Sequence, residues 1–307
     1  MKKRILITGG TGLLGSLLTK NLQSQGHKVS ILSRNPSRVK NVDAFYWDVD
    51  KGEIDTKCLD GVDVIIHLAG EGIADKRWTA TRKQSLIDSR VKSIQLLYQA
   101  MSAGATTATT IISASAVGYY GDRGDAILAE NSARGAGFLA ELCEQWEEAV
   151  DHGFELGLRV VKFRIGLLLT KKGGVLQPFK TMVSGFTAMK FGNGQQWYSW
   201  IHAEDMIRMF SWAIEQKNVK GAFNATAPTP VKNKEMIKTI ATILKKPFWP
   251  LTIPAILFNL LLGKRSELLL ASNRTSSQKV QDAGFVFKHP FLENALRSLL
   301  IPSDHDR

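Results

Sequence analysis

Cysteine is scarce in this chain, which has only Cys58 and Cys143 among its 307 residues. Two cysteines cannot build a disulfide framework, so we expect a reducing compartment and a cytoplasmic protein. Long apolar runs are also missing. The longest, residues 250–263, is shorter than the roughly 20 residues that span a bilayer and includes two prolines. We expect a buried or dimer-forming helix there. The basic start of the chain precedes an apolar run that stops at Gly9, so we expect no signal peptide.

Acidic residues are few relative to basic ones, 28 against 40, which gives a formal net charge of +12. The lysines and arginines are scattered, and no nucleic-acid-binding module is recognisable. We therefore expect a basic surface that attracts anionic small molecules, and no nucleic-acid partner.

The distribution of apolar residues predicts an α/β fold. Strongly apolar, β-branched runs alternate with longer segments of helical periodicity, the pattern of a doubly wound parallel sheet that is covered on both faces. Beyond about residue 170 the alternation loosens, which indicates a smaller lobe. The predicted strands are 4–8, 27–33, 62–69, 109–115 and 158–169, and the main predicted helices are 13–25, 81–104 and 233–246. The predicted domains are a nucleotide-binding domain, 1–169 plus 196–226, and a substrate lobe, 170–195 plus 227–307.

A glycine-rich loop stands between the first strand and the first helix. Glycines in this context allow a tight turn, a close approach of the backbone to a pyrophosphate, and packing of helix against strand. The free N–H groups of the helix N-terminus then favour the phosphates. This predicts a Rossmann-type dinucleotide site whose loop residues are Thr8, Gly9, Gly10, Gly12, Leu13, Leu14 and Gly15.

The end of the second strand predicts NADP(H) as the cofactor. An enzyme that selects NAD places a carboxylate here for the ribose hydroxyls, whereas arginine suits a 2′-phosphate. The sequence offers Ser33, Arg34 and Arg38 and no carboxylate. A solvated basic loop is the alternative. Asp48 follows the third strand and is expected near the adenine, and Leu68, Ala69 and Gly70 end the fourth strand beside the cofactor. His67 is expected to be a packing residue.

Several longer stretches carry a resemblance to a known family. The chain resembles the extended branch of the short-chain dehydrogenase/reductase superfamily, and within it an atypical group called epimerase-family or sugar-epimerase-like proteins, sometimes labelled cell-division inhibitors. The resemblance implies a Rossmann-type NADP-binding domain and a smaller C-terminal substrate lobe. Its stretches are residues 67–91, 113–122, 138–147, 192–206, 223–235 and 284–296.

The Tyr-Lys pair that is usual in this superfamily is absent from the sequence. In the superfamily a tyrosine passes the proton while hydride moves to or from nicotinamide, and a lysine one helical turn later lowers the tyrosine pKa. The matching positions hold Phe138 and Leu142. The resemblance leaves Ser115 as the substrate-orienting serine, Tyr120 as a pocket tyrosine and Ser113 beside the cofactor.

Other polar residues are candidates for the substrate pocket. Glu71, Lys76 and Arg77 follow the fourth strand and could hold an anionic group or supply a proton, with a solvated loop as the alternative. His202 is a candidate pocket acid or base, while Asp205 is expected to cap the following helix. Cys143 is expected to be buried. We find no metal-ligand spacing and no GxSxG element.

Two functions remain open from the sequence. The first is an NADP(H)-dependent oxidoreductase or nucleotide-sugar-epimerase-like enzyme whose proton-transfer group is displaced. Its candidate substrates are small molecules, among them anionic compounds and nucleotide sugars, and a homodimer is a candidate assembly. The alternative is a non-catalytic or redox-sensing NADP(H)-binding regulatory protein.

Overall fold

The computed structural model describes residues 2–104, 106–185 and 188–301. The strands are β1 (Arg4–Thr8), β2 (Lys28–Ser33), β3 (Asp43–Asp48), β4 (Glu53–Ile54), β5 (Val64–His67), β6 (Thr110–Ala116), β7 (Ile127–Leu128), β8 (Arg159–Ile165), β9 (Leu167–Leu169), β10 (Ala188–Phe191), β11 (Trp197–Tyr198), β12 (Trp200–His202), β13 (Gly221–Ala225), β14 (Val231–Lys232), β15 (Phe248–Ile253) and β16 (Arg274–Thr275). The helices are α1 (Leu13–Ser24), α2 (Ala80–Ala103), α3 (Phe138–Asp151), α4 (Leu176–Ser184), α5 (Ala203–Glu215), α6 (Asn233–Ile243), α7 (Ala255–Leu262), α8 (Glu267–Leu270), α9 (Gln278–Asp282) and α10 (Leu292–Leu300).

An eight-stranded sheet forms the centre of the molecule, in the order β13-β8-β6-β5-β1-β2-β3-β4. Seven strands are parallel and β4 alone is antiparallel to its neighbour. The chain runs from β1 outward to β2 and β3, then crosses back to β5 on the other side. Ligands of such sheets bind at this reversal, beyond the carboxyl ends of the strands. The predicted doubly wound Rossmann-type fold is confirmed.

Alternating side chains of each strand cover the two faces of the sheet. In β1, Ile5 and Ile7 pack with residues of α1 and α5, whereas Leu6 faces the core built with α2 and α3. All three are at most 1% exposed. Burial on both faces explains why the central strands are apolar almost throughout, without the alternation of a half-exposed sheet.

One predicted strand is divided. Residues 158–169 form two strands, because β9 leaves the central sheet after Gly166 and pairs with β12. A Cβ atom at Gly166 would collide with the Ser199 carbonyl and lie 2.8 Å from Thr226 Cγ2. A glycine is therefore needed where the two chains cross, and the prediction of one continuous strand is wrong.

A third core lies in the C-terminal part of the chain. It joins buried residues of α4, α6 and α10 with Phe191, Tyr198 and Trp200. The division into two domains stays a prediction. Residues 1, 105, 186–187 and 302–307, some of which lie at the limits of those domains, are outside the described residues.

Helix α7 is not buried. Ile256, Leu260 and Leu261 are 68%, 72% and 63% exposed, while Phe258 turns inward and stacks 4.7 Å from the Phe191 ring. The sequence predicts a buried or dimer-forming helix in this tract. The helix is not buried within this chain, because only one face of α7 packs against the other described residues, and a dimer-forming role stays a prediction. Among the described residues, none of the helices combines the length and apolar character that crossing a bilayer requires.

Candidate functional site

A large cleft lies at the carboxyl edge of the sheet, where β1 and β5 meet. Its volume is about 920 Å³, within the usual range for ligand sites. Gly9, Gly12 and Thr11 of the glycine loop line one side, and Leu68, Ala69 and Gly70 line the opposite side. The sequence predicted all of these except Thr11 as neighbours of the cofactor.

Backbone packing leaves no room for side chains in the glycine loop. Gly9 has φ of +68°, and a Cβ there would lie 2.8 Å from the Leu68 carbonyl. A Cβ at Gly15 would overlap the Gly9 carbonyl, and one at Gly10 would lie 2.5 Å from Ile31 Cγ2. Helix α1 begins after Gly12 with no side-chain cap, so the first-turn amides of residues such as Leu13 and Leu14 have no such partner. This is the cradle that a pyrophosphate requires.

Thr8 and His67 fix the floor of the cleft. The Thr8 hydroxyl accepts hydrogen bonds of 3.1 Å from the amides of both Leu68 and Ala69. Thr8 Oγ1 also lies 2.9 Å from His67 Nδ1. Burial lowers the pKa of His67 to about 3, so the imidazole is neutral and serves packing, as predicted. Thr8 is buried behind the cleft surface and supports it.

The ends of β2 and β3 form the outer part of the cleft. Ser33, Arg34 and Asp48 line it, as predicted. Ser33 Oγ accepts the Asn35 amide at 3.1 Å, which orders the turn that presents the exposed Arg34. Arg38 does not line the cleft, because a short 3₁₀ helix over Pro36–Arg38 carries it away on the exposed side. Its predicted cofactor contact stays a prediction.

Helix α2 contributes a polar face that the sequence prediction missed. These residues repeat at intervals of three and four, which is the helical signal that could have revealed them. They are Thr81, Arg82, Gln84, Ser85, Asp88 and Ser89.

The predicted pocket residues after β5 separate into two groups. Glu71 lines the cleft and forms an ion pair with Arg82. Its carboxylate also accepts a hydrogen bond of 2.9 Å from Ser85 Oγ. Lys76 also lines the cleft, but Arg77 does not. Glu71 is thus part of the cleft wall, and Arg77 is an exposed loop residue.

These features fit a dinucleotide. The cleft is long enough to run from β3 past the glycine loop to α2, and its glycine loop has the close packing and free amides that phosphates need. The residues that would hold it are those of the loop, of the β2 end and of the segment 68–70.

A second cavity of about 220 Å³ lies between α3 and the C-terminal part of the chain. Its walls are mainly apolar and include Ala116, Leu139, Leu142, Ile165 and Leu268. Its charged lining residues are Arg90 and Glu267. Burial, opposed by the charge of Lys83, raises the pKa of Glu267.

The side chains at the two positions of the missing Tyr-Lys pair, Phe138 and Leu142, have different surroundings. The Phe138 ring packs edge-on against Trp78 at 5.1 Å, and Lys83 Nζ lies 4.7 Å above it. Leu142 lines the second cavity. Cys143 lines it too, and burial raises the pKa of that thiol to about 12, so it is an inert buried group as expected.

Ser115 and Tyr120 line neither cavity in this structure, and their predicted substrate roles stay predictions. Ser115 Oγ donates a hydrogen bond of 2.7 Å to Glu147, and Tyr120 Oη donates one of 2.7 Å to Asn224 Oδ1. Arg164 binds both Glu147 and Tyr120 Oη, the latter at 3.0 Å. Ser115 and Tyr120 are 3% and 0% exposed, because this ionic network holds both residues inside the core. Burial raises the pKa of Tyr120 to about 12.

Ser113 is likewise buried and lines neither cavity, and its predicted cofactor contact stays a prediction. Its hydroxyl donates to the Ala114 carbonyl at 2.8 Å. Packing between β5 and β8 encloses this part of β6.

His202, and not Asp205, caps α5. His202 Nδ1 accepts the Glu204 amide at 3.1 Å. Asp205 lies inside the first turn, where its carboxylate accepts the amides of Lys288 and His289 at 2.8 Å each. His202 lines neither cavity, and its predicted pocket role stays a prediction.

One group with metal-ligating side chains occurs in the described ranges, formed by His202, Glu204 and His289. Its ligand atoms already have partners. His202 Nδ1 accepts an amide proton, which leaves the other ring proton on Nε2, and His289 Nε2 lies 2.8 Å from Glu204 Oε2. The His202 ring stacks 3.8 Å from that of His289. The group therefore fixes the C-terminal segment against α5.

Comparison with known proteins agrees with this geometry. The family model described as NAD dependent epimerase/dehydratase family matches residues 5–137 and 175–226. A model for a domain of unknown function, DUF1731, matches residues 253–299. An epimerase family protein of Mycobacterium bovis is 37% identical over 294 residues, which cover 95% of this chain and 96% of that protein.

Two solved structures are similar over nearly the whole chain. The human epimerase family protein SDR39U1 (isoform 2), solved with NADPH, is 26% identical with a TM-score of 0.84, covering 96% of this chain and 98% of that one. The nucleoside-diphosphate sugar epimerase of Corynebacterium glutamicum is 35% identical with a TM-score of 0.80. The match covers 97% of this chain but only 58% of that protein.

Proposed function

This chain belongs to the NAD dependent epimerase/dehydratase family, and we propose that it is an NADP(H)-dependent oxidoreductase or epimerase-like enzyme that lacks the usual Tyr-Lys pair. The observation that carries the proposal is the continuity of the cleft from the uncapped helix α1 to the Arg34 turn. Bound nicotinamide would supply hydride transfer, and the chain's own residues would bind, orient and exchange the proton.

The preference for NADP(H) rests on the end of β2. Arg34 stands where a 2′-phosphate would lie, and the ordered Ser33 hydroxyl is beside it. The human relative solved with NADPH supports the same choice. Arginine also matches a phosphate better than a neutral ribose hydroxyl because its charge and planar fork fit the anion.

Glu267 is the proton-transfer group in this proposal. Its carboxyl group lines the second cavity, and burial disfavours its ionised form. In its protonated form, which the raised pKa favours, this carboxyl could donate to a substrate oxygen, which is what the absent tyrosine does elsewhere. Ser115 and Tyr120 are too deeply buried to take this role.

A non-catalytic NADP(H)-binding protein is the second candidate. It is favoured by the buried network that holds Ser115 and Tyr120 away from both cavities. Such a protein would use an intact cofactor cleft to sense the ratio of NADPH to NADP and act through a partner.

The remaining proposals concern the setting of the protein. We place the substrate lobe in residues 170–195 and 227–307, as the loosened pattern and the third core suggest. Two buried free thiols fit a cytoplasmic location. The exposed face of α7 is an apolar surface of the kind a homodimer would use.

The test begins with binding. Thermal shift and NADPH fluorescence should give tighter binding of NADP(H) than of NAD(H), and tighter NAD(H) binding would refute the cofactor proposal. A panel of small carbonyl compounds and nucleotide sugars is then screened for oxidation of bound NADPH or epimerisation. Binding without turnover across the whole panel would favour the second candidate.

A further inference from the structure

The second cavity has a partly buried cation on its wall that lacks a carboxylate partner. Arg90 donates to the carbonyls of Leu86 and Glu71 at 3.0 and 3.1 Å and to Ser89 Oγ at 3.3 Å, and the Glu71 carboxylate is paired with Arg82. No ion pair to Arg90 occurs in the described part of the chain. Burial lowers the pKa of Arg90 to about 10, which still leaves it charged near neutral pH. An unpaired buried charge is costly, so a counter-charge is expected in the functional complex.

Two N–H groups of this wall also lack acceptors. In the described ranges, four buried side-chain nitrogen or oxygen atoms have no hydrogen-bond partner, and Arg90 Nε and Trp146 Nε1 are two of them. Both residues line the second cavity, and Arg90 Cζ lies 5.1 Å from the Trp146 ring. Buried N–H donors normally have a hydrogen-bond acceptor, which these two lack. The ligand that completes them must bring an acceptor.

The size and lining of the cavity restrict the rest of the ligand. Its volume of about 220 Å³ is below the roughly 300 Å³ at which drug-sized ligand sites begin. Most of its walls are apolar, with Ile73, Leu139 and Leu142 among them, and its neutral polar lining residues include Tyr198, Ser199 and Asn273. A nucleotide sugar, with its base, two phosphates and hydroxyls, is larger than this volume.

Arg90 also lies between the two cavities. A Cβ at Gly70, in the cofactor cleft, would approach Arg90 Cζ to 3.0 Å, although Arg90 itself does not line that cleft. A ligand held by Arg90 would therefore lie next to the cofactor without occupying its site.

We propose that the second cavity binds a small organic carboxylate with an apolar body, and that Arg90 and Trp146 hold its carboxylate. The proposal rests on the proposed function for the view that this ligand is a substrate. The binding site itself can be tested without turnover.

The probes are sodium benzoate and the neutral benzamide, which have nearly the same size and apolar body. Affinity for each is measured by calorimetry with and without saturating NADP. We expect benzoate to bind at least tenfold more tightly than benzamide, and Arg90→Gln to remove that difference. Trp146→Phe, which keeps a ring but removes the N–H group, should weaken benzoate binding by a smaller factor than Arg90→Gln does. Equal affinities for the two probes, or unchanged benzoate binding in Arg90→Gln, would overturn the proposal.

Matched variants separate this site from general damage. Arg134→Gln removes an arginine that is paired with Glu144 and lines neither cavity, so it should leave benzoate affinity unchanged. Leu142→Trp keeps Arg90 but fills the cavity, and it should abolish benzoate binding while NADP binding persists; this variant serves if Arg90→Gln does not fold. Competition between benzoate and NADP would refute the proposal by placing the anion in the cofactor cleft. Benzoate binding without NADP binding would refute the proposed cofactor and leave the carboxylate site standing.

Discussion

Arg164 holds Glu147 at two points inside the core: its Nε and Nη2 atoms donate to the two carboxylate oxygens at 2.8 and 2.9 Å. Side chains of this pair are only 5% and 6% exposed. Ser115 donates to the same carboxylate, and Tyr120 accepts from the same guanidinium. The serine and the tyrosine that the sequence predicted for the substrate site are thus bound to an internal ion pair.

Glu147→Gln should destabilise the fold by about 3–5 kcal/mol, because it leaves the Arg164 charge buried without a partner. Burial favours the neutral carboxyl, but the hydrogen bonds and charge of Arg164 outweigh it and lower the Glu147 pKa. Because the folded pKa is depressed, this stability is present above the unfolded value of 4.5 and is lost as pH falls through the folded pKa. Urea unfolding of the variant at neutral and acidic pH measures both effects. Glu144→Gln, at an exposed ion pair, should cost less than about 1 kcal/mol.

Ser115→Ala should lower stability by about 1–3 kcal/mol, the range for loss of a hydrogen bond to a charged group, while NADP affinity stays unchanged. Denaturation and NADP titration on the same sample test this. A variant with full stability but reduced kcat/KM would instead assign Ser115 to substrate, contrary to its position.

Arg34→Asp should weaken NADP binding at least tenfold and improve NAD binding, because a carboxylate repels the 2′-phosphate and accepts from a ribose hydroxyl. The measurement is fluorescence titration of NADPH and NADH. Arg38→Asp is the control, since it makes the same charge change four residues away and outside the cleft. Equal effects of the two variants would mean that only the general surface charge matters.

Glu267→Gln should be more stable than the natural protein at neutral pH. Burial raises the folded pKa of Glu267 above its ordinary 4.5, so ionisation is easier in the unfolded chain and stability falls as pH rises through the folded value. The difference between the two proteins should disappear below about pH 3, where Glu267 is neutral in both the folded and the unfolded chain. If Glu267 also transfers the proton, NADPH-dependent turnover falls by about 10²- to 10⁴-fold in the variant. Loss of turnover with unchanged pH dependence of stability would contradict the burial argument; Glu141→Gln, outside both cavities, is the control.

Restoring the usual pair by Phe138→Tyr with Leu142→Lys should not restore its chemistry. Phe138 packs against Trp78, and Leu142 lies in the mainly apolar wall of the second cavity, so both new polar groups would enter packed, apolar surroundings. The lysine would enter an apolar wall and its ammonium form would be disfavoured. Thermal unfolding should show a loss for Leu142→Lys that Leu142→Met does not share, and a stable double variant with new turnover would refute this view.

Sequence reasoning succeeded where local patterns decide the structure. β-branched runs predicted the parallel sheet, the glycines predicted the cleft, and the longer stretches correctly identified the epimerase-family branch. The cofactor loop depends mainly on consecutive residues, so it is visible in the sequence. The polar face of α2 was also available from its spacing but was missed.

What the sequence did not reveal depends on contacts between distant segments. Tyr120 is buried because Asn224 and Arg164 reach it from β13 and β8, which nothing near residue 120 reveals. Asp205 was assigned to the cap of α5 because its type suits a cap, yet His202 takes that position. The Asp205 carboxylate instead serves backbone amides more than 80 residues away.

The Thr8 hydroxyl joins the two strand ends between which the nucleotide would lie. Its bonds form when the sheet forms, so the floor of the crevice is ordered before any nucleotide arrives. A protein built in this way can release its nucleotide without local unfolding. Its nucleotide-free form should be stable and should rebind nucleotide quickly. The fraction of protein with bound nucleotide would then follow the cellular nucleotide concentration.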